Sequence, residues 1–127
     1  MTKHESPTED DSSSKRVFDL EERTARFGEA VIKYARSIPE NSVTRPLIQQ
    51  AVRSATSIGA NYCEADDSGS KKEFKYRISI CKRESRETKH WLRMLATAIP
   101  ERKDECRELW QEAKELNLVF GKIFRNC

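Results

Sequence analysis

The sequence has no apolar run near the roughly 18 residues needed to cross a bilayer, and its N-terminus lacks the charged start and apolar segment of a secretory leader. A soluble, cytoplasmic chain is the expectation. Glycine and proline are scarce, four of each in 127 residues, and aromatics make up only 8%. A turn-rich sheet protein is thereby excluded, and 35% charged side chains favour long, surface-charged helices. The length suits one domain with one core. The four cysteines, Cys63, Cys81, Cys106 and Cys127, form no Cys-x-x-Cys pair. They read as small apolar residues in a reducing compartment rather than zinc ligands. No Gly-rich phosphate loop and no Ser/His/Asp set occurs, so no cofactor, no metal and no enzymatic activity are expected.

Residues 1–16 hold no large apolar side chain after Met1, which predicts a disordered N-terminal tail. The tail has three basic and four acidic residues, so the body, 17–127, carries one more positive charge than the chain's net +3. Within that body, apolar residues recur at helical spacing. Leu20, Thr24, Phe27, Val31, Tyr34 and Ile38 mark a helix over about 18–38 that Pro39 stops. Leu47, Ala51, Ala55, Ile58, Tyr62 and Ala65 mark a second over 44–66, with Thr44 as its expected N-cap. Ser70-x-x-Glu73 has the pattern of a capping box and opens a third over 70–98. Cys106, Leu109, Ala113, Leu116, Phe120 and Ile123 or Phe124 stripe a fourth over 101–124. Short connections between four helices predict an all-α, antiparallel up-and-down four-helix bundle.

The second helix has a single formal charge, Arg53, between Leu47 and Cys63, and small residues around much of its circumference. A helix that small and apolar is usually covered on more than one side, so self-association is expected. The third helix divides on a wheel of about 100° per residue into three sectors. Phe74, Ile78, Cys81, Ser85, Thr88, Leu92 and Leu95 form the core sector. Tyr76, Ile80, Trp91 and Met94 mix with Glu84 and Glu87, and with Glu73, in an amphipathic sector suited to a subunit interface. Lys71, Lys75, Lys82, Arg86, Lys89 and Arg93 form a basic sector without any acid. Over residues 70–99, nine Lys and Arg side chains stand against three carboxylates. Like charges at i, i+3 and i+4 destabilise a helix unless something offsets them, and a phosphate backbone is the natural partner. RNA or DNA binding without base-specific reading is the expectation.

Two motifs invite a catalytic reading. Glu87-x-x-His90 has the spacing of a di-iron bundle ligand pair, but such a site needs two of these motifs, and the only other histidine, His4, lies in the tail. Arg83 and His90, six residues between them, have the spacing found in helical-bundle ribonucleases, a pattern that a chain with 24 Lys and Arg residues also produces by chance.

The segments RSATSIGANYCEADDSGSKKEF (53–74) and RISICKRESRETKHWLRML (77–95) carry a family resemblance. With Ser57, Ile58, Asn61 and Glu64, then Ser70, Phe74, Ile80, Glu84, Glu87, Thr88, Trp91 and Leu92, the chain resembles the small four-helix-bundle proteins encoded by intervening sequences in bacterial 23S ribosomal RNA genes. That superfamily includes the accessory variability determinants of diversity-generating retroelements. The resemblance implies a ring-like homopentamer and, for the retroelement branch, nucleic-acid binding beside a reverse transcriptase. The chain has Ala65 where the family commonly has glycine, and His90 where an aromatic is frequent. Asn61, Glu64, Glu84 and Glu87 need partners at such contacts, and Arg53 and Arg77 are the candidates.

Overall fold

The computed structural model describes the backbone of residues 9–127 and side chains from Leu20 onward. Four α-helices follow in chain order: α1 (Glu9–Arg36), α2 (Thr44–Asp66), α3 (Lys71–Ala98) and α4 (Lys103–Arg125). A 3-10 turn, Pro100–Arg102, links α3 to α4. α2 packs on α1 and α3, α3 packs on α4, and α4 closes back on α1 through a thinner contact, while Tyr62 of α2 meets Phe120 of α4 across the core with ring centroids 6.0 Å apart. The expected up-and-down bundle is the observed one. α1 begins earlier than the apolar stripe suggested: residues 9–16, expected as tail, continue the helix, and residues 1–8 lie outside the described residues. No glycine or proline stands between Glu9 and Phe27 to stop it.

The stripes meet in one core. Val31, Ile58, Ile78, Leu92, Leu95, Leu116 and Phe120 are fully buried, and Leu47, Phe74 and Leu109 pack partly buried against them. Small residues bring α2 close to its neighbours. Ser54 on α2 accepts a 2.8 Å hydrogen bond from the Thr88 hydroxyl of α3. The buried Cys81 thiol reaches the carbonyl of Ile58 at 3.5 Å. On the α1 side, a Cβ added to Gly59 would lie 3.2 Å from Thr24 Oγ1, tighter than ordinary packing allows.

The helix ends show how local chemistry sets the boundaries. Ser70 Oγ accepts from the Glu73 amide at 3.1 Å, the expected half of a capping box, while the Glu73 carboxylate pairs with Arg77 instead. At α2 the expectation is corrected: Thr44 is already helical and buried. Asn41 Oδ1 accepts from the Val43 and Thr44 amides at 2.9 Å, and the Thr44 hydroxyl donates to the Pro39 carbonyl. The asparagine side chain reaches two amides at once, which a Thr44 cap could not do. Where α1 meets α4, the Tyr34 hydroxyl lies 2.8 Å from Cys106 Sγ, and Arg102 covers the Tyr34 ring while donating to Ser37. Burial, helped by the Cys106 contact, pushes the Tyr34 hydroxyl well above its ordinary pKa.

Two measurements check this packing. In chemical denaturation, Gly59→Leu is expected to cost about 1–3 kcal/mol, because α1 must move away from α2. Gly121→Ala, whose Cβ would meet only the Arg125 guanidinium at an ordinary 3.6 Å, should instead gain about 0.5–1 kcal/mol from helix propensity. Thiol labelling at pH 8 should modify the exposed Cys63 and Cys127 in the native protein. It should reach Cys81 and Cys106 only on unfolding: both are buried, and burial pushes the Cys81 thiol up to about 12 and Cys106 upward as well.

Candidate nucleic-acid interface

α3 has three carboxylates, and all are engaged along its α2-facing edge or within that edge of the helix. Arg53 of α2 reaches Glu84 at 3.3 Å through Nη1 and Glu87 through Nη2. Arg77 pairs with Glu73 at 3.0 Å and donates to Asn61 Oδ1, whose own amide donates to Ser57. The expected partners Arg53 and Arg77 are therefore the observed ones, but they close within a single chain. Glu84 and Ile80 are buried there, at 7% and 8% exposure. Both were expected at a subunit interface; within the single chain Ile80 is already buried and Arg53 of α2 pairs with Glu84. Of the remaining interface candidates, Tyr76 is 57% exposed, while Glu87, Trp91 and Met94 are half-buried. The Trp91 ring meets His90 edge-on, with centroids 4.9 Å apart.

The basic sector lies on the opposite edge of α3, toward α4. Lys71, Lys75, Lys82, Arg86 and Arg93 are exposed and Lys89 is half-buried. Among the described residues, none of the six is in an ion pair. Their neighbours are aromatic. Lys75 and Lys82 place their ammonium groups 4.9 and 5.2 Å from the Phe124 ring, and Lys89 and Lys114 sit 5.6 and 5.7 Å from the Trp110 ring. Asn117 ties the two helices between those rings, donating to the Lys82 carbonyl at 2.8 Å.

The α4 contribution was missed at the sequence level. Lys103, Arg107, Trp110, Lys114, Asn117, Gly121 and Phe124 recur at three- and four-residue steps and include no acid, within a helix that carries five carboxylates from Asp104 to Glu115. That periodic absence of acid was the available signal. Glu112 and Glu115 instead turn to α1, where Arg23 donates to Glu112 at 2.7 and 2.9 Å and to Glu115 at 3.3 Å. Charge is thus sorted across the bundle: the α3 carboxylates and Glu112 and Glu115 of α4 are held on the α1 and α2 sides, and along the α3–α4 groove the cations are unpaired among the described residues except Arg107, which lies 4.0 Å from Asp104. No group of three or more metal-ligating side chains occurs among the described residues. Arg83 and His90 are both exposed, and Arg83 lies 3.8 Å from Glu84.

A sequence profile for the 23S rRNA-intervening sequence proteins matches residues 18–122. The chain belongs to this family. Its fold is similar to the crystal structure of a protein of unknown function from the S23 ribosomal protein family of Bacteroides thetaiotaomicron. The TM-score is 0.73 at 23% identity, over 83% of this chain and 97% of that one. None of the curated proteins compared with it matches. At that identity the likeness shows the family fold, and the charge sorting described above is read from this chain alone.

A double-mutant cycle tests the Arg53 clamp. Arg53→Ala should cost about 1–3 kcal/mol, because it leaves the buried Glu84 carboxylate beside Glu87 with only the exposed Arg83, at 3.8 Å, as a cation partner. The same change in a Glu84→Gln, Glu87→Gln background should cost clearly less, as measured by urea unfolding.

Proposed function

We propose that this 23S rRNA-intervening sequence protein is a non-enzymatic, self-associating adaptor that binds nucleic acid through the basic edge of α3. The observation that carries the reading is the set of six stripe cations, Lys71, Lys75, Lys82, Arg86, Lys89 and Arg93, which have no carboxylate partner among the described residues. Elsewhere on the bundle Arg23, Arg53 and Arg102 are paired, although Lys33 and Arg36 of α1 are in no ion pair among the described residues. Unpaired like charges along one helix edge repel one another, and a phosphate backbone relieves that repulsion with release of counterions.

Self-association is supported by the exposed Tyr76 on α3 and by exposed small residues on α2, Thr56 and Ala60. Five copies and a reverse transcriptase partner rest on the resemblance to the retroelement branch alone. A protein–protein module is the alternative, with the basic edge docking an acidic partner or facing solvent.

Light-scattering mass with and without a structured RNA separates these readings. An oligomer that takes up RNA, and loses on the order of 10³ in affinity between 50 and 200 mM salt, is the expected result. Reversal of Lys82, Arg86 and Lys89 to glutamate should abolish uptake while helicity is retained, and the RNA should be recovered intact. An oligomer indifferent to RNA at low salt would contradict the reading.

A further inference from the structure

We propose that the α3–α4 groove holds a single-stranded polynucleotide, with bases stacked against Trp110 and Phe124 and phosphates along the flanking cations. The inference rests on the nucleic-acid reading and narrows it to one strand form. Two features of the groove point there. The first is its double row of positive charge: α3 supplies Lys75, Lys82, Lys89 and Arg93, and α4 supplies Lys103, Arg107 and Lys114. A strand lying between the rows meets cations on both sides, and the track from Lys71 to Arg93 is about 33 Å long at 1.5 Å per residue.

The second feature is the pair of rings set between those rows. Trp110 and Phe124 are half-buried and about four helical turns apart, with the short side chain of Asn117 and the bare backbone of Gly121 between them. Beside Trp110 the groove deepens to about 540 Å³, walled by Arg93, Ala96, Lys103 and Arg107 and lined by no carboxylate. That volume lies in the range of about 300–1,000 Å³ typical of small-ligand sites and accommodates a nucleobase with its phosphate. A second hollow of about 820 Å³ opens at the other end of the same edge, beside Lys71, Lys72 and Lys75.

Duplex geometry uses the cations but leaves the rings idle, because paired bases present only their edges. An unpaired base presents a π-face that stacks on an aromatic side chain whatever its identity, which suits a groove without hydrogen-bonding groups arranged for one base. The lysines now over the rings do not block this. Lys75, Lys82 and Lys114 are exposed, their ammonium groups are 4.9–5.7 Å from the ring centroids, and each can swing to a phosphate as a base takes the ring face.

The test compares labelled rU12 and dT12 with a 12-base-pair duplex at one salt concentration, using the full chain. Single strands should bind more tightly than the duplex and quench tryptophan fluorescence, a quench lost in Trp110→Leu but kept in Trp91→Phe. Trp110→Leu and Phe124→Leu, checked for unchanged helicity, should each weaken single-strand binding about 5- to 100-fold and leave duplex binding within about twofold. Equal binding of both forms, or ring variants that bind single strands like the parent, would overturn this inference while leaving the nucleic-acid reading intact. No binding of any probe would overturn both.

Discussion

The three carboxylates of α3 govern the electrostatics of this bundle. A 28-residue helix with nine Lys and Arg side chains between Lys71 and Arg93 cannot pair them all. Its few acids could have been spread around the circumference. Glu84 and Glu87 instead converge on Arg53, and Glu73 is held by Arg77. Every carboxylate of α3 is consumed on one edge, so the opposite edge is left with cations that no carboxylate among the described residues pairs. α4 repeats the arrangement from its own side, giving Glu112 and Glu115 to Arg23 of α1 and turning Lys103, Arg107 and Lys114 toward α3.

This sorting depends on how closely α2 and α3 approach. Ser54, Ala51 and Ala55 are fully buried on α2, and Thr88 meets Ser54 from α3. Larger residues would push the helices apart and carry Arg53 away from Glu84. The buried hydroxyls do not disturb the core, because Thr88 bonds both Ser54 Oγ and the Glu84 carbonyl. Close packing on one side of α3 and a cation-lined groove on the other are therefore linked: the first gathers the acids that the second lacks.

Much of this was legible in the sequence. The core stripes of all four helices, the capping serine at 70 and the basic sector of α3 follow from spacing alone, because helical periodicity converts directly into position. The interface sector was harder to place. Glu84 and Ile80 occupy a mixed face that a wheel cannot assign, since it shows which residues share a side but not how far the neighbouring helix reaches around it. For Glu84, Arg53 crossing from α2 decided that question. Trp110 and Phe124 were overlooked for a related reason. On α4 Phe124 reads as the end of the apolar stripe and Trp110 falls outside it, and only the packing of α3 against α4 brings Lys82 and Lys89 over these rings. Asn41 was missed because its caps fall across a loop with no periodicity to mark it.

The central claim is that the cations of the α3–α4 groove, rather than those elsewhere on the bundle, meet the nucleic acid. Lysine acetylation footprinting tests it most directly, comparing modification rates by mass spectrometry with and without bound RNA. The account predicts protection of Lys75, Lys82, Lys89 and Lys114, with the exposed Lys33 of α1 reacting at its original rate. Protection of Lys33 to the same degree, or none at the groove under conditions where RNA is bound, would contradict it.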